Sequence, residues 1–545
     1  MIGAALPDEA TARGWREAGW WAGVTILDAL AEAVRRTPGK TAVVAPGGVS
    51  MTYAELDAEA GRLAAGLAAL GVGPGDVVAL QLPNCAEFVC LHLAISRLGA
   101  VTNPLLPNYR AKELDYILRH GGAKVAVIPA RHRGFDYPPM YAALAAGLPG
   151  LRAVVVMGGE APGMVGFADL RAGAAAAPPP ARVDSGEITA LIFTSGTEST
   201  PKGVMHSHDT TMYATRTMAR VVGLGADDVV WMPSPIAHGN GFLWGMRQAL
   251  TIGGTLVLQD AWDPEEALRL IETHRGTFTL CATPFAAMLV EQPSAASRDL
   301  ACFRIFATAG APIPRHLGPL ARERIGCTLI GMWGMTECFV GTASPPDDPD
   351  ERLWGTDGRA MPGTEVAIFD EDRQRILPPG EVGELATRGP HVALGYLNDP
   401  ERTRQTFTPG GWLFTGDLAT LDAAGCIRIA GRRKDIINRG GLKVSASEVE
   451  ELLLLHPAVR EVAVVGVPDA RLGEKGCAFV VPRGDAAPDL AELVRHLEAR
   501  GVARYKLPEY MRLVPELPMT PSGKVQKFVL RESFTREHGQ AGGSG

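Results

Sequence analysis

Absences set the first bounds. The 545 residues contain no apolar run of the roughly 18 residues that a membrane-spanning helix needs, no block of basic residues, no internal repeat and no Cys-x-x-Cys. The eight cysteines, at 85, 90, 281, 302, 327, 338, 426 and 477, are scattered. That pattern reads as reduced, mostly buried thiols rather than a disulfide frame or a zinc site. Lys and Arg number 53 against 60 Asp and Glu, a formal charge of −7. Without a clustered surface to neutralise phosphates, this balance argues against a dedicated nucleic-acid binder, though not against a small anionic substrate held by a few local cations. The first stretch, MIGAALPDEATARGW, is partly acidic and lacks a basic start followed by an apolar core. The expectation is therefore a chain without a signal peptide, in the cytoplasm.

What is present is ordinary globular material: 46% apolar and 21% charged residues, in a length that suits three or four compact units or two unequal ones. The first 130 residues alternate helical and strand patterns. Thr25 precedes the amphipathic ILDALAEAVRR, and Thr52-Tyr53-Ala54-Glu55 forms a capping box for a second helix that Gly71 closes. Helices also follow from about Glu87 to Leu98 and from near Ala111, between the apolar strands TAVVA, VVALQL and KVAVIP. Strands separated by helices of this length pair in parallel, because a parallel neighbour needs a crossover. The low-complexity joint RAGAAAAPPPA (171–181) reads as a surface loop, and a second α/β stretch runs from about 188 to 340. From 351 to 431 short strands with Gly/Pro turns predict a mostly antiparallel region. After Gly431-Arg432 a small αβ unit begins, with Ser445 capping a helix that runs to His456 and stops at Pro457.

Five segments carry candidate chemistry. FTSGTESTPKGVMHSH (193–208) follows an apolar strand with hydroxyls, glycines and Lys202, a composition suited to a polyphosphate, although it does not satisfy the common nucleotide P-loop pattern and also suits a polar surface loop. GMWGMTE (331–337) offers Trp333 as a flat surface for a base and Thr336-Glu337 as oxygen ligands for Mg²⁺. In GWLFTGDLA (411–419), Asp417 after Gly416 suits ribose hydroxyls or simply a turn. GRRKDIINRGGLKVSASEVE (431–450) packs five cations into thirteen residues, which is the usual mark of a solvated charge run. PMTPSGKVQK (518–527) restrains Lys524 in a loop with two prolines and a glycine.

Taken together, in this order and spacing, the five segments resemble the adenylate-forming superfamily of acyl-CoA synthetases, peptide-synthetase adenylation domains and beetle luciferases, over essentially the whole chain. GRRKDIINRGG is similar to aryl-acid adenylating enzymes, whereas RGFDY (133–137), WDPEEALRLIETHRGTFTLCATPF (262–285) and SGKVQKFVLRE (522–532) resemble cyclohexanecarboxylate–CoA ligases. The resemblance implies an α/β fold with a large N-terminal domain, 1–432, in subdomains of roughly 1–180, 181–350 and 351–432, and a small mobile α+β domain, 433–545. It implies ATP, Mg²⁺ and CoA as cofactors. Thr194, Ser195, Gly196, Thr197 and Lys202 would hold the β- and γ-phosphates. Gly310, Ala311 and Pro312 would frame adenine with Trp333. Thr336 would touch the α-phosphate, Glu337 would hold Mg²⁺, and Asp417 and Arg432 would bind ribose. Lys434 sits at the hinge position and Lys524 matches the lysine of the adenylation step. By the same resemblance His238 would lie at the edge of the acyl pocket, and Gly440-Gly441 beside the pantetheine channel.

The resemblance breaks at Glu198-Ser199, where a Thr-Gly pair is usual, and at Phe414, where a His or Arg often stands. A carboxylate beside a triphosphate is repulsive, and loss of a glycine restricts backbone approach. The expected activity is an acyl-CoA ligase. Its alternatives are a ligase weak in adenylation that converts a preformed acyl-adenylate, an aryl-acid enzyme loading a carrier protein, and a nucleotide-binding interaction protein with an inactive site. Val204 to His208, His238 to Trp244 and Thr279 to Phe285 are expected to contribute pocket walls, with Phe242, Trp244 and Phe285 supplying apolar surface and Gly239, Gly241 and Gly245 leaving space. The substrate so inferred is a hydrophobic alicyclic, aromatic or medium-chain acid, bulky acids of secondary metabolism included. The expected partners are that acid, its acyl-adenylate and CoA, with no nucleic acid and no membrane span. A homodimer is compatible with the sequence.

Overall fold

The computed structural model describes residues 7–172, 183–194, 201–310, 313–469, 471–484, 487–519 and 525–541, with side chains to 537. The chain divides into two compact units. The first comprises Met1–Ala309, Arg315–Glu365 and Thr387–Leu413, and the second Gly310–Pro314, Val366–Ala386 and Phe414–Gly545. The second unit therefore includes the hairpin that precedes residue 433.

Among the described residues the first unit holds a nine-stranded and a seven-stranded sheet. In the seven-stranded sheet Val77–Leu80 lies between Val101–Pro104 and Ala123–Pro129, parallel to both, as the alternating helices require. The capping box forms as the sequence predicts: Thr52 Oγ1 accepts the Glu55 N–H at 3.2 Å and Glu55 Oε2 accepts the Thr52 N–H at 2.7 Å, opening the helix Tyr53–Ala69. That helix and Ala86–Arg97 are buried on most of their faces, in a core that draws Val43 and Leu256 from one sheet and Val78, Val125 and Ile192 from the other. A helix apolar all round is what a layer between two sheets needs.

The second unit contains a four-stranded sheet, in which Leu413–Leu421 and Ile427–Arg432 run antiparallel, and a five-stranded sheet built on the long hairpin Val459–Asp469 and Gly473–Pro482. Ser445 caps the following helix, its Oγ accepting the Glu448 N–H at 3.3 Å. The helix spans Ala446–Leu453 and stops three residues short of His456. Its last turn tightens, with Leu455 N–H bonding Leu452 O and His456 N–H bonding Leu453 O, because the residue before Pro457 is pushed out of helical geometry. No helix among the described residues is long and apolar enough to cross a membrane.

Candidate active site

In the first unit the segment flanking Lys202 is the edge hairpin of the seven-stranded sheet. Ile188–Thr194 and Lys202–Ser207 pair antiparallel with Thr194 opposite Lys202. The chain between them is too short for a crossover helix, so this pair cannot be parallel like its neighbours. Ser195, Gly196, Thr197, Glu198 and Ser199 lie outside the described residues, as do Ala311, Pro312 and Lys524.

The other edge of Lys202–Ser207 is stitched to residues 394–397. Leu394 N–H donates to Met205 O at 2.9 Å, Met205 N–H to Gly395 O at 3.1 Å, and Leu397 N–H to Gly203 O at 2.8 Å. Next to them, Ala393 N–H donates to Glu337 O at 2.8 Å. The Lys202 strand and the Thr336-Glu337 segment, more than 130 residues apart in sequence, are thereby brought together. The Glu337 carboxylate is buried, and its Oε1 accepts the Tyr396 hydroxyl at 2.7 Å. Burial first, and then the Glu337 charge, raise the Tyr396 phenol above its ordinary range. The Lys202 ammonium lies 5.3 Å from the centre of the same ring. Among the described residues Glu337 has no arginine or lysine partner.

Thr336 is fixed from behind. Its carbonyl accepts from His206 Nε2 at 2.7 Å, which leaves Nδ1 as the acceptor facing Thr210 Oγ1 at 3.1 Å. The His206 ring stacks on Phe339 at 4.0 Å, and burial pushes its pKa down to about 3, so it is neutral. Trp333 ends the strand Thr328–Trp333 and is only 6% exposed. One part of its ring fills the place a side chain at Gly341 would need, since a Cβ there would lie 2.2 Å from it.

His238 is half-buried and lies two residues before a π-helix, Asn240–Arg247. Phe242 is fully buried, edge-on to His92 at 4.9 Å, and Trp244 is 2% exposed. Phe285 is half-buried against Trp262. The glycines of this segment are not all there to open a pocket. A Cβ at Gly241 would lie 2.3 Å from Pro235 O, and one at Gly245 would lie 2.5 Å from Met232 Cγ, so close packing demands both. Gly239 alone of the three faces open space.

In the second unit Asp417 and Arg432 sit opposite each other on the antiparallel hairpin, with Arg432 Nε 3.0 Å from Asp417 Oδ1. Asp417 lies within the strand Leu413–Leu421 rather than in a turn, and it follows Gly416, whose φ of +73° is a conformation glycine adopts without strain. Lys434 is exposed, two residues beyond Arg432. Gly310 has a φ of +82°. Gly440 and Gly441, both at positive φ, form the two-residue turn between Ile436–Arg439 and Leu442–Ser445. Such a turn requires positive φ at both positions, so the backbone by itself accounts for these glycines. Phe414, at the departing position, packs edge-on to Phe369 and beneath the Arg373 guanidinium.

Tyr396 and Glu384, a buried acid beside the Gly416 amide, are absent from the residues singled out by sequence, each belonging to an unremarkable strand or turn string. His206 lies in the candidate segment 193–208, where the alternation of VMHSH places it on one strand face with Val204.

Residues 30–397 match the AMP-binding enzyme family, and 448–524 match the AMP-binding enzyme C-terminal domain. Among curated relatives, the medium-chain fatty-acid–CoA ligase of Escherichia coli is 37% identical, over 96% of this chain and 92% of its own. The salicyl-AMP ligase / salicyl-S-ArCP synthetase of Mycobacterium tuberculosis is 36% identical, over 95% and 92%. The solved structure of the anthranilate CoA ligase AuaEII in complex with anthranoyl-AMP superposes with a TM-score of 0.88 at 28% identity, covering 95% of this chain and 98% of that one. With both parts of the family matched along one chain and the fold shared throughout, this protein belongs to the AMP-binding enzymes, the adenylate-forming ligases.

Proposed function

We propose that the protein activates a hydrophobic carboxylic acid with ATP and passes the acyl group to CoA. The observation that carries this reading is Glu337: a buried carboxylate with a phenol on one oxygen, no ion pair to an arginine or lysine among the described residues, and backbone hydrogen bonds tying its neighbourhood to the Lys202 strand. Ionising a buried carboxylate without a cation is costly, and a divalent metal ion arriving with the polyphosphate would supply the compensating charge.

Magnesium fits this donor set, because it retains waters and needs only one or two carboxylates beside phosphate oxygens. Glu337 would hold it, and when bound it would neutralise charge developing on the phosphates. Lys202 and Thr194 would contact the β- and γ-phosphates, with the loop between them. Thr336 would meet the α-phosphate, its carbonyl already held by neutral His206. Asp417 would accept from the ribose hydroxyls, kept in line by Arg432. A carboxylate resists direct attack by a thiol, since it is already negative and its leaving group is poor. Joining it to AMP gives a mixed anhydride that the CoA thiol can attack, releasing AMP. Lys524 would cancel charge in the first step, and a turn at Lys434 would withdraw it for the second. His238, Phe242, Trp244 and Phe285 would border the acyl group, and Gly440-Gly441 the pantetheine.

The salicyl-S-ArCP synthetase among the relatives favours a second reading, in which an aryl acid is loaded onto a carrier protein. One experiment addresses both. Medium-chain, alicyclic and aromatic acids are offered with ATP and free CoA, and pyrophosphate and thioester are measured. Thioester from free CoA supports the first reading. Pyrophosphate exchange without thioester supports the second. Thioester only from a synthetic acyl-adenylate identifies an enzyme weak in adenylation.

A further inference from the structure

A carboxylate of the second unit that belongs to none of the motifs gathers four donor contacts. Glu384, on the strand Gly383–Arg388, has a side chain only 2% exposed. Arg373 grips it with both arms of its fork, Nε to Oε2 at 2.9 Å and Nη2 to Oε1 at 2.7 Å. Arg433 Nη1 donates to Oε2 at 3.0 Å, and the Gly416 N–H donates to Oε1 at 3.2 Å. The residues on either side of that glycine are tied in beside it. Thr415 Oγ1 donates to Leu385 O, the residue after Glu384, at 2.7 Å and accepts the Asp417 N–H at 3.1 Å. One acid thus touches the backbone just before Asp417 and the residue between Arg432 and Lys434.

We infer that Glu384 is a positioning residue for nucleotide binding. It fixes the height of the Asp417 backbone through the Gly416 amide, and it anchors Arg433, the residue immediately before Lys434, to the same sheet. This rests on the ribose and hinge roles proposed above for Asp417, Arg432 and Lys434. A carboxylate is needed, because an amide of the same shape would leave two guanidinium groups facing each other with no charge between them. The Arg373 arm is a support rather than a contact to ligand, and its planar fork is what makes the two-point grip possible.

The test is Glu384→Gln, read as ATP affinity by titration calorimetry and as separate KM values for ATP and for the acid. We expect ATP affinity to fall and KM for ATP to rise about tenfold, as for loss of one charge-assisted contact, with KM for the acid within twofold. An equal fall in all parameters alongside a lowered melting temperature marks a purely structural acid and overturns the inference, as does unchanged ATP affinity. Should that variant fail to fold, Arg433→Met leaves the Arg373 fork and the Gly416 bond in place. It should shift the ratio of adenylation to thioesterification of a supplied adenylate at least fivefold, and a ratio within twofold of wild type overturns the anchoring role. ATP titration needs no acid substrate. A wild-type protein that binds ATP but activates no acid would defeat the proposed function alone, whereas one that binds no ATP would defeat both.

Discussion

Glu337 in the first unit and Glu384 in the second are both buried acids, yet their settings are opposite. Glu384 is saturated by two arginines and a backbone amide, all from its own unit. Glu337 has a phenol and, among the described residues, no cation. A carboxylate already neutralised by arginine has little left to offer a metal or a phosphate-bound cation, and it acts as scaffold. One whose oxygen is met by a tyrosine hydroxyl, with no arginine fork closed on it among the described residues, keeps acceptor capacity for a ligand. The contrast separates structure from chemistry more sharply than burial does, since both acids are buried.

The contrast can be broken in several ways. If the first setting depends on positive charge from outside, removing Lys524 should have the largest consequence. Lys524→Ala is expected to lower acid-dependent pyrophosphate release by roughly 1000-fold while a supplied acyl-adenylate still yields thioester. Equal loss of both steps would make that lysine structural. Glu337→Gln should follow, with adenylation down about a hundredfold and a raised magnesium requirement. An unchanged magnesium dependence would remove the distinction between the two acids. Asp417→Asn should raise KM for ATP about tenfold with little effect on the acid, which steady-state kinetics in each substrate will show. Tyr396→Phe should cost less again, about threefold to tenfold in the adenylation rate, because it removes one neutral donor and no charge.

Acid unfolding sharpens the comparison from the side of stability. Burial pushes His206, His208 and His391 of the first unit down to about 3, so they stay neutral in the folded chain. Once unfolded, each would protonate near 6.5, so the stabilisation is complete above that pH and is lost as pH falls towards 3. Each group contributes a slope of about 1.4 kcal/mol per pH unit within that window. In the second unit burial raises the Glu450 carboxyl, with Lys527 opposing it. That acid works in the other sense, favouring the fold at low pH and losing its contribution as pH rises. Calorimetry between pH 7.5 and 5 should therefore show the first unit's transition moving down further than the second's, and His206→Gln should reduce the slope.

Much of the fold was legible because its determinants are local. The Thr52–Glu55 box, the Ser445 cap and the spacing of apolar residues fix helices within a few residues of their ends, and strand–helix alternation fixes parallel pairing. What escaped depends on distant pairing. Tyr396 becomes part of the candidate site because residues 394–397 add to the strand that starts at Lys202, and nothing within GYLNDP announces this. Glu384 reads as the polar position of an alternating strand until Arg373 and Arg433 close on it. Gly241 and Gly245 were assigned to an open pocket because composition cannot tell empty space from a crowded neighbour, and Pro235 and Met232 supply the crowding.

The register of Thr194 with Lys202 bears on how this protein can change over evolution. Both ends of the intervening segment are secured by main-chain pairing, one strand lying deep in the sheet and the other sewn to residues 394–397. The main-chain pairs of this edge thus lie outside positions 195–200, where Glu198 and Ser199 stand in place of the usual Thr-Gly. The framework on either side of that segment is held by backbone bonds, which do not depend on which side chains the sequence places there.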